Sequence, residues 1–176
     1  MNIKAPCDRA YLREPLDGHR SLVAVKWIVL HDTEGGTAES IARFFEHNSS
    51  GYTHLVVDDK ECYRSLTNTA IPRGARGANT AGFHIEQCGF ARWSLVIWQK
   101  HRMTMERAAY KTALHCKVFG IPPRFVKAAG LRAGDKGVTT HAECTKAFGG
   151  DHADPGPFWP RFWFMARVRS YYNEGL

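Results

Sequence analysis

Three side chains of the kinds that zinc accepts as ligands are split between two distant parts of the chain. His31 closes an apolar run over 23–30, whereas His141 and Asp154 lie in a late stretch rich in glycine and proline. A lone strand-end histidine is more often hydrogen-bonded in the core, so the two later residues carry this prediction. Three protein ligands leave one coordination position of zinc open, whereas structural zinc is usually closed by four. The residue types therefore predict a Zn²⁺ cofactor and metal-assisted catalysis.

A buried strand has to bring His31 to such a site. Residues 22–31 are rich in β-branched residues and predict this strand. Thr37 then offers an N-cap for a helix over 38–47. The other predicted elements are a hairpin with strands over 52–58 and 61–66, a strand over 80–87, and helices over 103–119 and 158–172. This order predicts an α/β fold, a single domain with a central mixed β-sheet flanked by helices.

Length and composition are those of one globular domain. The 176 residues are enough to bury a core, and an apolar fraction of 44% argues against disorder. We expect residues 1–20 to form a lead-in and residues 21–176 to form the domain. No apolar run reaches the roughly 18–20 residues of a membrane span, so no membrane insertion is expected. The first residues lack the apolar segment of a secretory signal, which predicts a cytoplasmic location at first.

The formal net charge of +7 suits an anionic polymer, either nucleic acid or a bacterial cell wall. Because the basic residues are spread along the chain, the charge alone favours neither polymer. The five cysteines include no Cys-x-x-Cys pair, which predicts buried or inert thiols rather than a disulfide framework. Cys144 is assigned to packing.

Aromatic residues are expected in the core rather than in sugar-binding platforms. Phe158, Phe162 and Met165 share one face of the last predicted helix, which is a core pattern. The tryptophans assigned to the core are Trp93, Trp98, Trp159 and Trp163.

Four segments, in order, are similar to a known enzyme family. They read WIVLHDTEG over 27–35, YTHLVVD over 52–58, AGFHIE over 81–86, and TH at 140–141 followed by DPGP at 154–157. With these segments the chain resembles the zinc-dependent N-acetylmuramoyl-L-alanine amidases of type 2, which include phage endolysins and animal peptidoglycan-recognition proteins. The resemblance extends over roughly residues 22–172 and implies the fold of that family.

The resemblance implies hydrolysis of the amide between the lactyl group of N-acetylmuramic acid and the L-alanine of the stem peptide. It assigns His31, His141 and Asp154 as zinc ligands. Glu86 matches the general base, with an outward-facing strand glutamate as the alternative. His152 stands where many members have a lysine that stabilises the oxyanion. An imidazole N–H donor could replace that lysine, with a pH-dependent strength; the alternatives are a metal ligand or no role.

Four further residues are expected to bind substrate. His54 lies in the segment that lines the cleft in this family, with Thr53 beside it; a hydrogen-bonded strand histidine is the alternative for His54. Arg73 and Asn79 precede the Glu86 strand, where they would meet the glycan or the carboxylates of the stem peptide.

Together these expectations describe a phage-type endolysin amidase. Its partner would be bacterial peptidoglycan and not nucleic acid, and it would act as a monomer. It would stay in the host cytoplasm until lysis and then reach the cell wall. A non-catalytic peptidoglycan-binding module of the same fold is the alternative, although the complete ligand set argues against it. A basic nucleic-acid-binding domain would explain the charge but not the ligands.

Overall fold

A mixed β-sheet forms the centre of the fold. The computed structural model describes residues 9–174. Its strands are β1 (Arg9–Ala10), β2 (Trp27–Asp32), β3 (Leu55–Val57), β4 (Cys62–Arg64), β5 (Gly82–Gln87) and β6 (Gly137–Thr140). Their order across the sheet is β1-β4-β3-β5-β2-β6. β3 and β4 pair antiparallel, and the other neighbouring strands pair parallel, which confirms the predicted mixed sheet.

Helices cover both faces of this sheet. Within residues 9–174 they are α1 (Ala38–His47), α2 (Leu95–Lys100), α3 (Arg102–Phe119), α4 (Ala128–Ala133), α5 (His141–Phe148) and α6 (Arg161–Asn173). α3 and α6 pack over one face and enclose the largest apolar cluster. The other face carries two smaller clusters, one with α1 and one with α4 and α5. The predicted single α/β domain flanked by helices is confirmed.

Strand alternation places polar side chains between the two smaller clusters. In β2, Leu30 lies in the core with α3, so its neighbour His31 faces the opposite side of the sheet. In β5, Ile85 lies in the same core, so His84 and Glu86 also face that opposite side. The sheet thus gathers three polar residues on one face.

The predicted start of helix α1 is confirmed in atomic detail. Thr37 Oγ1 accepts a hydrogen bond from Ser40 N at 3.2 Å, and Ser40 Oγ accepts one from Thr37 N at 2.9 Å. This reciprocal pair satisfies two backbone N–H groups that the first helical turn leaves without partners. The helix therefore begins directly after Thr37, and its buried face is Ala38, Ala42 and Phe45.

Strand β2 is shorter than the hydrophobic run over 22–31 predicts. Leu22–Ala24 forms a 3₁₀ turn, and Val23 is 83% exposed, so the strand begins only at Trp27. The hairpin is confirmed by the antiparallel pairing of β3 and β4, although both strands are shorter than predicted. Tyr52 lies outside β3 and forms an isolated bridge with Arg73.

Five short elements were not predicted from the sequence: β1, α2, α4, β6 and α5. β6 has 4 residues, too few for a period to be recognised. The position of β6 matters for the site, because no predicted element carried His141, whereas His141 is the first residue of α5, directly after β6.

The prediction that Phe158 and Phe162 belong to the core is wrong. They are 58% and 81% exposed, whereas Met165 is buried as predicted. α6 begins only at Arg161 and buries Phe164, Met165, Val168 and Tyr171, so its core face excludes Phe162. The four tryptophans assigned to the core are buried or packed against it.

Among the four cysteines of residues 9–174 the thiol prediction holds for three and fails for one, and Cys7 lies outside the described residues. Cys88, Cys116 and Cys144 are buried and free, whereas Cys62 is disulfide-bonded. Spacing alone did not reveal this bond because pairing depends on how distant segments meet in the fold.

The predicted lead-in over 1–20 is described from residue 9 onward. Arg9–Ala10 pairs with β4 at the edge of the sheet, and Leu16 N donates a hydrogen bond to Tyr52 Oη at 3.0 Å. The described part of this segment therefore packs on the domain. Among the helices of residues 9–174, none is both long and apolar enough to cross a membrane.

Candidate metal centre and active site

His31, His141 and Asp154 converge in a cavity of about 1020 Å³. The Nδ1 atoms of the two histidines are 3.1 Å apart. The Asp154 carboxylate oxygens lie 3.2 Å from His31 Nδ1 and 3.0 Å from His141 Nδ1. All three residues are buried, and one ligand atom from each lies within 4.8 Å of the others. The fold thus brings together the three residues predicted to bind zinc.

This donor set fits a zinc ion. Two nitrogens held about 2.0–2.1 Å from a tetrahedral zinc lie about 3.3 Å apart, close to the observed 3.1 Å. Burial lowers the pKa of His31. Burial alone would raise the pKa of Asp154, but hydrogen bonds with His141 and His31 hold it below its ordinary value. A neutral imidazole and a carboxylate are the protonation states that bind a metal.

Neighbouring strands position the two histidines of this candidate metal site. β6 pairs in parallel with β2 as far as Thr140, whose partner is Leu30. Thr140 then caps α5 by accepting a hydrogen bond from Glu143 N at 3.3 Å. The next residue after each of these paired positions is a histidine of the candidate site, His31 on β2 and His141 at the start of α5. The pairing therefore places both side chains at the same edge of the sheet.

Two backbone contacts hold the loop that carries Asp154. The Asp154 carbonyl oxygen accepts a hydrogen bond from Ala142 N at 2.9 Å, which ties the loop to α5. Gly156 has a φ of +91°, and a Cβ on it would lie 1.9 Å from the Ala91 carbonyl oxygen. Glycine is needed for both the left-handed backbone and the close approach.

Glu86 lies beside this cluster and lines the same cavity. Its Oε2 atom is buried and has no hydrogen-bond partner within residues 9–174. Burial raises the pKa of Glu86 well above its ordinary value, and the charges of Asp154 and Asp32 add to the rise. A divalent cation on the three ligands would oppose that rise, because its charge stabilises a carboxylate.

His152 stands at the edge of the cluster, with 61% of its side chain exposed. Its ring stacks on that of His141, with centroids 4.1 Å apart and planes 15° from parallel. Its Nδ1 atom is 3.5 Å from the Asp154 carboxylate. The buried three-residue group does not include His152. His152 therefore lies next to this group and lines the cavity.

Three of the four predicted substrate contacts line the cavity: Thr53, Arg73 and Asn79. Arg73 forms a bidentate ion pair with Asp17, at 2.6 and 2.8 Å. Asn79 Oδ1 accepts hydrogen bonds from the backbone N–H groups of residues 74 and 75, at 3.0 and 2.8 Å. Asn79 therefore shapes the loop that forms the cavity wall, and Arg73 presents a guanidinium that is already paired.

Most of the sequence matches a known family. The Amidase_2 family, described as N-acetylmuramoyl-L-alanine amidase, matches residues 21–157. The chain belongs to this family. No protein of curated function matches it.

Solved structures share the fold of this amidase-family chain. It is similar to the Staphylococcus aureus hydrolase AmiA, solved in complex with its ligand, with a TM-score of 0.74 and 16% identity over 96% of this chain and 85% of that one. The PlyG catalytic domain gives a TM-score of 0.64 at 15% identity, covering 94% of each chain. The N-acetylmuramoyl-L-alanine amidase LysC from Clostridium intestinale URNW gives 0.60 at 16% identity, covering 94% of this chain and 99% of that one.

The fourth predicted substrate contact, His54, does not line the cavity of the amidase-family chain. Its side chain is fully buried and stacks on Phe83, with ring centroids 4.2 Å apart. His54 Nδ1 accepts a hydrogen bond from His84 N at 3.0 Å, and Nε2 lies 3.1 Å from the Ala70 carbonyl oxygen. With both ring nitrogens occupied inside the fold, this geometry supports the alternative of a hydrogen-bonded core histidine.

Two residues at the site were missed by the sequence analysis. His84 contacts the ligand His31, with 3.0 Å between His84 Nδ1 and His31 Nε2. Asp32 lines the cavity, and burial, together with the charge of Asp154, raises its pKa to about 7. A period of two along β5 puts His84 on the face of Glu86, and this signal could have identified it.

A second cavity, of about 1280 Å³, adjoins the first. Its lining includes the exposed Phe158 and Phe162 together with Arg161. His152 lines both cavities. The unexpected exposure of the two phenylalanines therefore belongs to a groove that begins beside the ligand cluster.

Proposed function

We propose that this chain is a zinc-dependent N-acetylmuramoyl-L-alanine amidase that acts on peptidoglycan. The bond cleaved is the amide between the lactyl group of N-acetylmuramic acid and the L-alanine of the stem peptide. The observation that carries this proposal is the buried His31, His141 and Asp154 group in a cavity with Glu86 beside it. Family membership supports the choice of the bond.

His31, His141 and Asp154 would hold the ion. When bound, zinc would lower the pKa of water to about 7 and polarise the carbonyl of the scissile amide. The chain provides two neutral imidazoles and one carboxylate, so the site keeps a net positive charge at the reacting carbonyl.

Glu86 carries the proton in this proposal. Its carboxylate takes a proton from the attacking water and passes it to the nitrogen of the departing L-alanine. Its unpaired Oε2 atom leaves an acceptor free for this transfer. Partial exclusion of water from the cavity keeps the carboxyl group basic enough for the task.

His152 stabilises the negative charge that develops on the carbonyl oxygen when water attacks the carbonyl carbon. Its exposed ring lies against His141, where an N–H donor faces the cavity. Thr53 and Arg73 line the same cavity and contact the substrate there, and Asn79 supports the neighbouring loop through its backbone contacts.

The biological setting of the proposal is that of a phage endolysin acting as a monomer. The enzyme is held in the host cytoplasm until lysis and then degrades the cell wall, and nucleic acid is not a partner. The net charge of +7 favours adsorption to an anionic wall.

The deciding experiment is mass spectrometry of purified peptidoglycan after digestion. We expect free stem peptides that begin at L-alanine and intact glycan strands, with loss of the products on chelation and recovery on addition of Zn²⁺. His31→Ala should abolish the products while the circular dichroism spectrum is retained. His47→Ala, at an exposed histidine of α1, is the matched control and should stay active.

Other outcomes redirect the proposal. Cleavage within the stem peptide would keep a zinc hydrolase but change the bond. Binding to peptidoglycan without cleavage, in the presence of zinc, would indicate a non-catalytic module. Full activity of His31→Ala would refute the zinc mechanism.

A further inference from the structure

We propose that His84 is a positioning residue for the metal ligand His31. It accepts a hydrogen bond from His31 Nε2–H and thereby fixes the tautomer and ring orientation that zinc binding requires. The inference rests on the proposed zinc site and adds a residue that lies outside the three-residue group and does not line the cavity.

The direction of this hydrogen bond follows from the ligand geometry. His31 presents Nδ1 to His141 and Asp154, so Nδ1 is the atom that would bind the ion. A neutral imidazole carries one N–H, which must then be on Nε2. Nε2 lies 3.0 Å from His84 Nδ1, so His84 Nδ1 has to be the acceptor. Such outer partners orient a ligand and commonly change metal affinity by about 10–100-fold.

The fold holds the His84 ring in place. A Cβ on Gly74 would lie 2.4 Å from His84 Nδ1, and one on Gly82 would lie 2.5 Å from His84 Nε2. Both glycines therefore leave the space that the ring fills. The backbone N–H of His84 is bound to His54 Nδ1 at 3.0 Å. The ring is fully buried in this position, so it has little freedom to turn away from His31.

The other ring nitrogen argues against a packing role alone. With Nδ1 as acceptor, the proton of neutral His84 is on Nε2, and this buried atom has no hydrogen-bond partner in the described part of the chain. A buried N–H without a partner is unfavourable, and an apolar side chain would fill the same space without it. A histidine at this position, with its unpaired N–H, is expected if the contact between His84 Nδ1 and His31 is needed to orient His31.

Zinc affinity of the full chain, measured by competition with a chelating indicator, tests this role. His84→Phe fills the space but lacks the acceptor, and it should weaken Zn²⁺ binding by about 10–100-fold. His84→Asn carries an amide oxygen near the place of Nδ1 and should lie closer to the wild type. His115→Phe is the matched control. His115 is a buried histidine that stacks on Phe83, the neighbour of His84 in β5, but it does not contact a proposed zinc ligand. Its zinc affinity should be unchanged.

A measurement on the wild type removes any dependence on how well the variants fold. In the zinc-loaded protein, ring-nitrogen NMR shifts should identify His31 as protonated at Nε2 and His84 as unprotonated at Nδ1. A protonated His84 Nδ1, or equal zinc affinity of His84→Phe and wild type, would overturn the inference. Absence of zinc binding by the wild type would overturn both this inference and the zinc mechanism. Zinc binding without amide cleavage would overturn the proposed function alone, and the affinities of the variants would still decide the role of His84.

Discussion

His31 and Glu86 are register partners on the adjacent parallel strands β2 and β5. Paired residues of neighbouring strands point to the same face, so the proposed metal ligand and the proposed base are brought together by the sheet itself and not by a mobile loop. A slip of one residue between these strands would move Glu86 to the opposite face. The register of β2 and β5 is therefore a requirement of the proposed chemistry.

Glu86→Gln should lower kcat by about 10²–10⁴-fold, the range for loss of a general base, and should leave the zinc content unchanged. The amide keeps the shape of the side chain but cannot take the proton. Initial rates on purified muramoyl peptides, together with metal analysis, check both parts. Glu39→Gln changes a half-buried glutamate of α1 that pairs with Arg43 away from the cavity and should retain the wild-type rate. A wild-type rate for Glu86→Gln would remove Glu86 from the mechanism.

His152→Ala should lower kcat by about 10²–10³-fold, as expected for loss of one oxyanion donor. His152→Lys should retain much of the activity, because an ammonium group can also donate to the oxyanion. Zinc affinity should change little in either variant, since His152 lies outside the buried ligand group. A large loss of zinc affinity in His152→Ala would instead assign it to the metal site.

Gly156→Ala should destabilise the fold and weaken zinc binding. The new Cβ would meet the Ala91 carbonyl oxygen at 1.9 Å, which displaces the loop that carries Asp154. Gly120→Ala is a matched control, because Gly120 also has a positive φ, of +62°, but has no atom within 4 Å of the built Cβ. We expect a loss of about 1 kcal/mol for the control and of more than about 2 kcal/mol for Gly156→Ala. Urea unfolding measures both values, and equal losses would contradict the steric explanation.

Acid should destabilise the protein partly through His115. Burial lowers the pKa of His115 to about 3, whereas an unfolded histidine has a pKa of about 6.5. Between these values the unfolded chain binds a proton that the folded chain does not, so this contribution to the free energy of unfolding decreases as the pH falls from about 6.5 toward 3. Above that window His115 is neutral in both states and contributes no pH dependence.

The test compares unfolding free energies of wild type and His115→Asn at several pH values. The groups that face His115 are the Lys111 carbonyl, at 2.7 Å from Nδ1, and the charges of Arg64 and Lys111. The asparagine keeps a donor near that carbonyl but does not titrate. Between about pH 6.5 and 5, the free energy of unfolding of this variant should therefore fall by about 2 kcal/mol less than that of the wild type. Identical slopes would contradict the prediction. His47→Asn, at an exposed position, should keep the wild-type slope.

Part of the fold was predictable because its signals are local. The N-cap at Thr37 and the helix after it follow from interactions within one turn, and the hairpin follows from a turn between two short apolar runs. β6 and α5 gave no such signal, because 4 strand residues and an immediate change to helix leave no period to recognise. The core assignment of Phe162 failed for a related reason. The sequence shows which residues share a helical face, but it does not show which part of the protein packs against that face.

Residue chemistry, together with the resemblance to the amidase family, selected His31, His141 and Asp154, since zinc restricts its ligands to a few side-chain types. It did not reveal that β6 pairs with β2 and so places His141 beside His31. Nor did it reveal that His84 contacts His31 while His54 is enclosed in the core. Each of these facts depends on contacts between segments far apart in the chain. Local patterns report the conformation of a segment, whereas its neighbours are decided by how all the buried faces pack together.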